Sequence, residues 1–289
     1  MFQIISLLLL AGALQACSAV KLAYNQAPDL AYWYLDGYLD LDGAQSVQVK
    51  DDLAALQRWH RQTQLPGYIE TLQTLQRQLP ADISAAQACT VLADVRSKLL
   101  ALADQAEPAA AALAGTLTAR QLALLERKFS SGNVDYRDHF LEGTPQARRK
   151  KRYQQAISRA EMLYGTLEDK QLGVIGQSVD RSGTEAATAY AERLRRQQDT
   201  LQSLRAVTAS RSLVSDSPDK ARLQVRALLE RSITSPNPAY RRYLDGLTQQ
   251  SCQALADLHN STSVTQRSQA VDTLRRYERD LRALLARVD

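Results

Sequence analysis

One kind of helix-start signal recurs along the chain and constrains its fold more than any other feature. Four segments place a Ser, Thr or Asp three residues before a glutamine: Asp42 and Gln45, Ser84 and Gln87, Thr118 and Gln121, Ser263 and Gln266. This spacing is that of a capping box, in which each of the two side chains accepts a hydrogen bond from a backbone amide that the helix itself leaves without a partner. Each pair therefore predicts the first turn of an α-helix.

The rest of the chain has the composition and periodicity of helices. Only 12 Gly and 8 Pro interrupt its 289 residues, which are rich in the strong helix formers Ala, Leu, Gln, Arg and Glu. Apolar residues recur every three or four positions in the segments 119–141, 146–165, 184–210, 218–233, 238–259 and 264–287. We predict an all-α fold, a multi-helix bundle or stacked helical array of about nine to eleven helices.

Two segments are candidate breaks within this helical domain, which we place at residues 28–289. Residues 103–116 are rich in Ala and contain Pro108, and residues 210–217 are rich in Ser. Neither segment is long or polar enough to establish two domains. Earlier in the chain, the pattern predicts a long helix after Asp42 and a new helix from Pro66.

The first sixteen residues have the pattern of an export signal. They contain no charged side chain and hold an apolar run from Ile4 to Leu14. A membrane-spanning helix needs about 20 apolar residues, whereas a secretory signal needs roughly 7 to 15 followed by small residues. We therefore predict that residues 1–16 are a signal peptide.

The sequence Leu14-Gln15-Ala16-Cys17 resembles the lipobox of bacterial lipoproteins. The resemblance implies cleavage before Cys17, lipidation of that cysteine, and an anchor and tether over residues 17–27. By resemblance to lipoprotein sorting in Gram-negative bacteria, Ser18 implies the outer membrane, with the domain facing the periplasm. The alternative is an ordinary signal peptide cut after Ala16, which would leave Cys17 as a thiol.

Two further cysteines, Cys89 and Cys252, remain in the exported domain. An even number of cysteines in an oxidising compartment usually forms disulfides. We predict a Cys89–Cys252 disulfide, and the alternative is two unrelated buried thiols.

The segment after the anchor is the most aromatic part of the chain. Tyr32, Trp33, Tyr34 and Tyr38 lie within seven positions of one another. One interpretation is a membrane-interface belt, since Trp and Tyr prefer the headgroup region of a bilayer. The other is the aromatic core of a first helix.

The strongest charge feature is a run of five cations, Arg148, Arg149, Lys150, Lys151 and Arg152. Such a run is often a solvated helix face. Alternatively it binds an anionic partner, such as the phosphates of an envelope lipid or an acidic protein. Cations at a helix start oppose the helix dipole, which indicates that another contact favours them there.

The sequence contains no recognisable catalytic or metal-binding pattern. His60, His139 and His259 lie far apart, and none has the spacing of a metal site. We therefore assign no catalytic residue, no metal and no cofactor. A net charge of +5 is modest for a chain of this size, and an exported protein does not meet DNA, so we expect no nucleic-acid partner.

Two resemblances extend beyond the lipobox. From Cys17 to about residue 205, the segments CSAVKLAYNQAPDLAYWYLDGYLDLD, LQRWHRQTQLPGY, LTARQLALLERKF and RYQQAISRAEMLYGTLEDKQ resemble an uncharacterised family of Gram-negative lipoproteins with no assigned activity. The residues Leu117, Thr118 and Gln121 are similar to the LTxxQ motif of the periplasmic Spy and CpxP proteins, and residues 167–171 form a looser copy. In those proteins the motif helps to shape a helical surface for unfolded or partner chains.

Location, fold and missing catalytic groups together favour a non-enzymatic envelope protein. We expect a lipid-anchored helical module that binds another envelope protein or an unfolded polypeptide. The alternative is an envelope hydrolase or transferase whose carboxylates are brought together only by the fold.

Lipidation of Cys17 is directly testable. Intact mass spectrometry and membrane fractionation of the wild type should give a triacylated cysteine at the new N-terminus and recovery with the outer membrane. Cys17→Ser should abolish both. An unmodified chain beginning at Met1 and recovered from the cytoplasm would contradict the anchor, the location and the disulfide together.

Overall fold

The computed structural model describes residues 19–210 and 218–286, and these residues are helical almost throughout. Two π-helical turns occur, one between α3 and α4 and one at the end of α6. With α3 and α4 counted as one helix, the described residues form eleven helices and no β-strand. The predicted all-α architecture is confirmed. The segments are α1 (Ala19–Asn25), α2 (Ala27–Leu39), α3 (Gly43–Trp59), a π turn (His60–Gln64), α4 (Leu65–Gln78), α5 (Ala85–Thr116), α6 (Ala119–Tyr136), a π turn (Arg137–Leu141), α7 (Pro145–Tyr164), α8 (Asp169–Arg181), α9 (Ala186–Ser210), α10 (Pro218–Ile233), α11 (Pro238–Ser261) and α12 (Val264–Leu285).

Helix α1 occupies positions that the sequence analysis assigned to a tether. It packs against α12, where Lys21 Nζ lies 3.8 Å from Asp280 Oδ1. Gln57 of α3 also donates to the backbone oxygen of Tyr24 at 2.6 Å. These contacts hold residues 19–25 in place, so the tether prediction is wrong for them.

Pro66 lies in the first turn of α4, as the sequence predicts, but a π turn carries α3 directly into this helix so that the two form one rod. Proline has no backbone N–H, and inside a regular α-helix its ring clashes with the carbonyl four residues earlier. In the π turn the backbone widens, and Leu65 N donates to His60 O, five residues back. The wider turn accommodates Pro66 at the start of α4 without breaking the rod.

The longest helix, α5, is the axis of the fold and contacts α3, α9, α10 and α11. Its 32 residues span about 48 Å. The predicted break at residues 103–116 is wrong, since α5 continues past Pro108 to Thr116. Ala111 and Ala114 pack against Val207 and Val225, and this packing supports the helix beyond the proline. Most of the second candidate break, residues 211–217, lies outside the described chain.

A buried pair of glutamines joins the starts of α3 and α6. Gln45 and Gln121, the first glutamine pair, are 5% and 3% exposed, and each closes a capping box at its own helix start. Gln121 Nε2 donates to Gln45 Oε1 at 2.7 Å and to Asp40 O at 3.2 Å. Gln45 Nε2 donates to Thr116 O at 3.2 Å. Each amide therefore also binds the chain that leads into its partner's helix.

The second glutamine pair, Gln171 and Gln266, repeats this arrangement at the starts of α8 and α12. Gln266 Nε2 donates to Thr166 O at 2.9 Å and lies 3.3 Å from Gln171 Oε1. Gln171 Nε2 donates to Ser261 O at 2.7 Å. The four predicted capping boxes are all present, and a fifth lies at the start of α8.

The hydrophobic core is divided around these two junctions. Leu117 and Leu167, each in the position before a cap residue, are buried in different clusters. The cluster near the first glutamine pair contains Leu39, Leu117, Leu122, Leu125 and Leu201. The cluster near the second contains Leu79, Ala160, Tyr164, Leu167, Ile175, Val179, Ala270, Val271 and Leu274.

A disulfide between Cys89 and Cys252 joins α5 to α11, as the sequence predicts. The two Cα atoms lie 5.1 Å apart, and Cys252 is fully buried. The bond joins two residues that are 163 positions apart in the sequence. In the chain-entropy model, a loop of this length stabilises the folded state by roughly 5 kcal/mol.

The glutamine pairs can be tested against an exposed glutamine in an equivalent capping box. Gln121→Leu or Gln171→Leu leaves buried polar atoms without partners and should lower the free energy of unfolding by about 3 kcal/mol. Gln87→Leu, at the exposed start of α5, removes the same capping contact and should cost only about 0.5 to 1 kcal/mol. Urea denaturation measures all three, and equal losses would show that burial of the pairs contributes nothing.

Candidate functional site

An open groove lined by apolar side chains lies between α2, α3 and α5. One part has a volume of about 360 Å³ and the adjoining part about 270 Å³, and the two share Leu53 and Leu56 of α3. We call the two parts together the apolar groove. Its apolar lining comprises Ala27, Pro28, Ala31 and Leu35 from the α2 side, Val49, Leu53, Ala55 and Leu56 from α3, and Leu102, Ala106, Pro108, Ala109, Ala110 and Leu113 from α5.

The groove exists because the wall that α5 contributes is made largely of alanine. Ala106, Ala109 and Ala110 carry only a methyl group where a core helix would present Leu or Ile. The leucines of α3 therefore face a shallow surface and stay partly exposed instead of being buried. The same Ala-rich composition that suggested a break in the sequence instead creates this concave surface.

A histidine and a tyrosine close one end of the groove. His60, the first residue of the π turn, has its Nδ1 atom 3.0 Å from the hydroxyl of Tyr24. The rings of Tyr24 and Tyr68 lie 5.7 and 5.5 Å from the His60 ring. Burial lowers the pKa of His60, so the imidazole is neutral at pH 7. The His60 side chain at this end of the groove is thus polar but uncharged.

The structure separates the four aromatic residues of α2 into two pairs. Tyr32 donates to Ser46 Oγ at 3.1 Å, and Tyr38 packs against Phe129 with ring centroids 6.2 Å apart. These two face the protein, as the aromatic-core interpretation requires. Trp33 and Tyr34 are 67% and 65% exposed, although one side of the Tyr34 ring lies against Tyr38, with ring centroids 4.9 Å apart.

The basic run contacts the end of the preceding helix. Arg148 Nη1 donates to Leu141 O at 2.9 Å and to Gly143 O at 2.7 Å. Lys151 Nζ donates to His139 O at 3.2 Å. Carbonyls at a helix C-terminus lack partners and attract cations, which explains why cations occur at the start of α7.

Arg149 of the same run forms a two-point ion pair with Asp180 of α8, which includes an Nη2 to Oδ2 distance of 2.7 Å. Hydrogen bonds from Arg149 lower the pKa of the Asp180 carboxyl. Three of the five cations, at positions 148, 149 and 151, thus have partners within the chain. Binding of an anionic partner by the run stays a prediction.

The two buried carboxylates of the described chain are both matched by arginines. Glu107 of α5 lies 2.8 Å from Arg222 Nε and 3.3 Å from Arg226 Nε. Glu192 of α9 is 4% exposed. Burial acts to raise the pKa of Glu192, but hydrogen bonds from two arginines and a serine outweigh it, and the pKa is lowered. The three donors are Arg195, Arg196 and Ser235.

The other residues singled out in the sequence lie apart from the groove lining. In the LTxxQ-like segment, Leu117 is in the core, Thr118 caps α6, and Gln121 belongs to the first glutamine pair. His259 is fully buried, with Nε2 2.9 Å from Ala81 O and Nδ1 2.9 Å from the Tyr164 hydroxyl. Cys17 and the signal peptide lie outside the described residues.

Sequence reasoning missed the groove and the Tyr24–His60 contact. The two residues are 36 positions apart, and no local pattern connects them. Within residues 19–210 and 218–286, no three His, Cys, Asp or Glu side chains are grouped so that they could hold a metal ion. In the same residues, no helix has both the length and the hydropathy needed to cross a membrane.

Comparison with known proteins identifies a family. The model of a family of unknown function, DUF6279, matches residues 37–215, which is more than half of the chain. The match covers α3 through α9 and so includes two walls of the apolar groove. No curated protein and no solved structure matches the chain.

The partly buried His60 and the fully buried His259 predict how stability depends on pH. Burial lowers the pKa of both His60 and His259, so below pH of about 6.5 the unfolded chain binds protons that the folded chain does not. The free energy of unfolding should be constant just above this pH and should fall as the pH drops toward the lowered pKa values.

Denaturant unfolding at about pH 7.5 and about pH 5 measures this effect. His60→Gln and His259→Gln should each reduce the difference between the free energies of unfolding at the two pH values. An unchanged difference in both variants would mean that the acid sensitivity comes from other groups.

Proposed function

Since the chain belongs to the DUF6279 family, whose function is unknown, we propose a function from the apolar groove: a lipid-anchored, non-enzymatic envelope protein that binds another polypeptide. The bound segment is an amphipathic helix of an unfolded or partner chain. The location in this proposal is the periplasmic face of the outer membrane.

The observation that carries the proposal is the chemistry of the groove. Its walls are leucine, valine and alanine, and its few polar side chains include Asp52, Gln57 and Gln105. An extended segment would leave its backbone amides without partners against such walls. A helix satisfies the hydrogen bonds of its own backbone and presents only the apolar side chains of one face to the groove, as in known helix-in-groove complexes.

The length of the groove agrees with such an occupant. Along α3, the lining runs from Val49 to His60, eleven residues apart, or about 16 Å. A helical stripe with apolar residues at positions 1, 4, 5 and 8 spans about 10 Å. Two turns of a partner helix therefore have room along the groove.

The location part of the proposal rests on the lipobox and is supported by the disulfide. Cys89–Cys252 is typical of an oxidising compartment, since cytosolic proteins are usually kept reduced. A lipidated Cys17 would hold the protein to a membrane through several acyl chains.

Binding is better supported than hydrolysis. A hydrolase needs a carboxylate or imidazole that is free to exchange protons with a substrate. The buried carboxylates Glu107 and Glu192 instead face arginines, and His60 is engaged by Tyr24. These contacts favour structural roles for all three groups.

Two alanines of α5 provide a matched pair for testing the groove. Ala110 and Ala112 are both exposed, but only Ala110 lines the groove. Ala110→Trp should fill it, whereas Ala112→Trp adds the same side chain to the same helix outside it.

The assay is aggregation of a client enzyme diluted from guanidinium, without reductant, so that the disulfide stays intact. The wild type and Ala112→Trp should suppress light scattering at stoichiometric excess, and Ala110→Trp should lose most of this effect. A dye-labelled Leu/Lys helical peptide should show the same order of affinities by fluorescence polarisation. If the wild type neither suppresses light scattering nor binds the peptide, the proposed binding is ruled out.

A further inference from the structure

A second apolar surface lies on the side of α1 and α2 that faces away from the groove. Leu22, Leu30, Trp33 and Tyr34 are 59%, 53%, 67% and 65% exposed. We call these four residues the outer stripe. Three of them, Leu22, Leu30 and Trp33, fall on one face at helical spacing, opposite the groove-lining face that carries Ala27, Ala31 and Leu35.

The two helices that carry the stripe form one rod. Gln26 N donates to Leu22 O and Leu30 N donates to Gln26 O, both at 3.0 Å, so the helical hydrogen bonds continue across the junction. The rod runs from Ala19 to Leu39, about 31 Å. Leu22, Leu30 and Trp33 thus share the outward side of a single continuous element, and the exposed Tyr34 lies at the edge of this side.

The stripe begins very close to the proposed lipid anchor. Only Ser18 separates Cys17 from Ala19, the first residue of α1. Even fully extended, two residues reach about 7 Å. A lipid on Cys17 would therefore bring the start of α1 to the headgroup region of the bilayer.

We propose that the outer stripe lies on the bilayer surface beside the anchor, with Trp33 and Tyr34 at the level of the lipid headgroups. This rests on the lipid anchor of the proposed function. Trp and Tyr are enriched at this depth, and an interfacial helix buries one apolar face about 5 to 10 Å into the boundary region. The stripe supplies that face, while Tyr32 and Tyr38 are partly buried against other helices of the protein.

Docking of the stripe orients the groove. The rod lies between the bilayer and the groove, because the stripe and the groove lining are on opposite sides of it. The apolar groove then lies on the side of the rod that is turned away from the lipid. The lipid surface and the polypeptide partner do not compete for the same side chains.

The test uses the lipidated full chain reconstituted in phosphatidylethanolamine and phosphatidylglycerol vesicles. The chain has two tryptophans, so Trp59→Phe leaves Trp33 as the sole reporter. Brominated acyl chains should quench the fluorescence of Trp33. Water-soluble acrylamide should quench Trp33 less than it does in the unfolded chain in solution without detergent. A matched reporter at Met162, also 67% exposed but on α7, is obtained with Trp33→Phe, Trp59→Phe and Met162→Trp, and should show the opposite pattern.

Leu22→Ser with Leu30→Ser should reduce quenching of Trp33 by brominated lipid about twofold or more, whereas Met162→Ser should leave it unchanged. Full quenching of Trp33 by acrylamide without quenching by lipid would overturn the proposal. Protection from both quenchers would also overturn it, since it would indicate a second copy or another protein on the stripe. Recovery of the chain with the vesicles reports the anchor separately, so a failed stripe and a failed anchor are distinguishable.

Discussion

The fold depends on two pairs of buried glutamines that join helix starts far apart in sequence. Each side-chain amide serves its own capping box through its oxygen and binds the incoming chain of its partner helix through its nitrogen. A buried amide without these partners costs free energy, so the arrangement specifies which helix starts meet and in what register. The leucines before two of the caps then enter the two main clusters of the core.

Around these junctions, α5 connects the remaining helices, and its sequence gives its sides different properties. One side packs through Ala111 and Ala114 against α9 and α10, and Cys89 near its start is bonded to α11. The side toward α3 carries alanines without a covering helix, and the apolar groove results. Alanine thus gives close packing where a neighbouring helix covers it and an open apolar surface where none does.

The functional proposals place two apolar surfaces on opposite sides of one rod. The groove suits a helix of another polypeptide, because its walls offer few partners for an unsatisfied backbone. The outer stripe suits a bilayer, because it joins Trp and Tyr with leucines within a short reach of Cys17. The charged groups have a structural role: the basic run and the buried carboxylates chiefly stabilise helix ends and helix pairs within the chain.

Much of the secondary structure is determined by local sequence. The capping boxes and the apolar periodicity predict the helix starts closely, because these signals act within a few residues. Export and the lipobox are also read from local sequence and remain predictions. The continuity of α5 through Pro108, the π turn before Pro66 and the division of the α2 aromatics into inward and outward pairs were decided by tertiary packing. The groove and the Tyr24–His60 contact likewise required the fold, because they join side chains that are distant in sequence, and burial and contact depend on neighbours that no local pattern specifies.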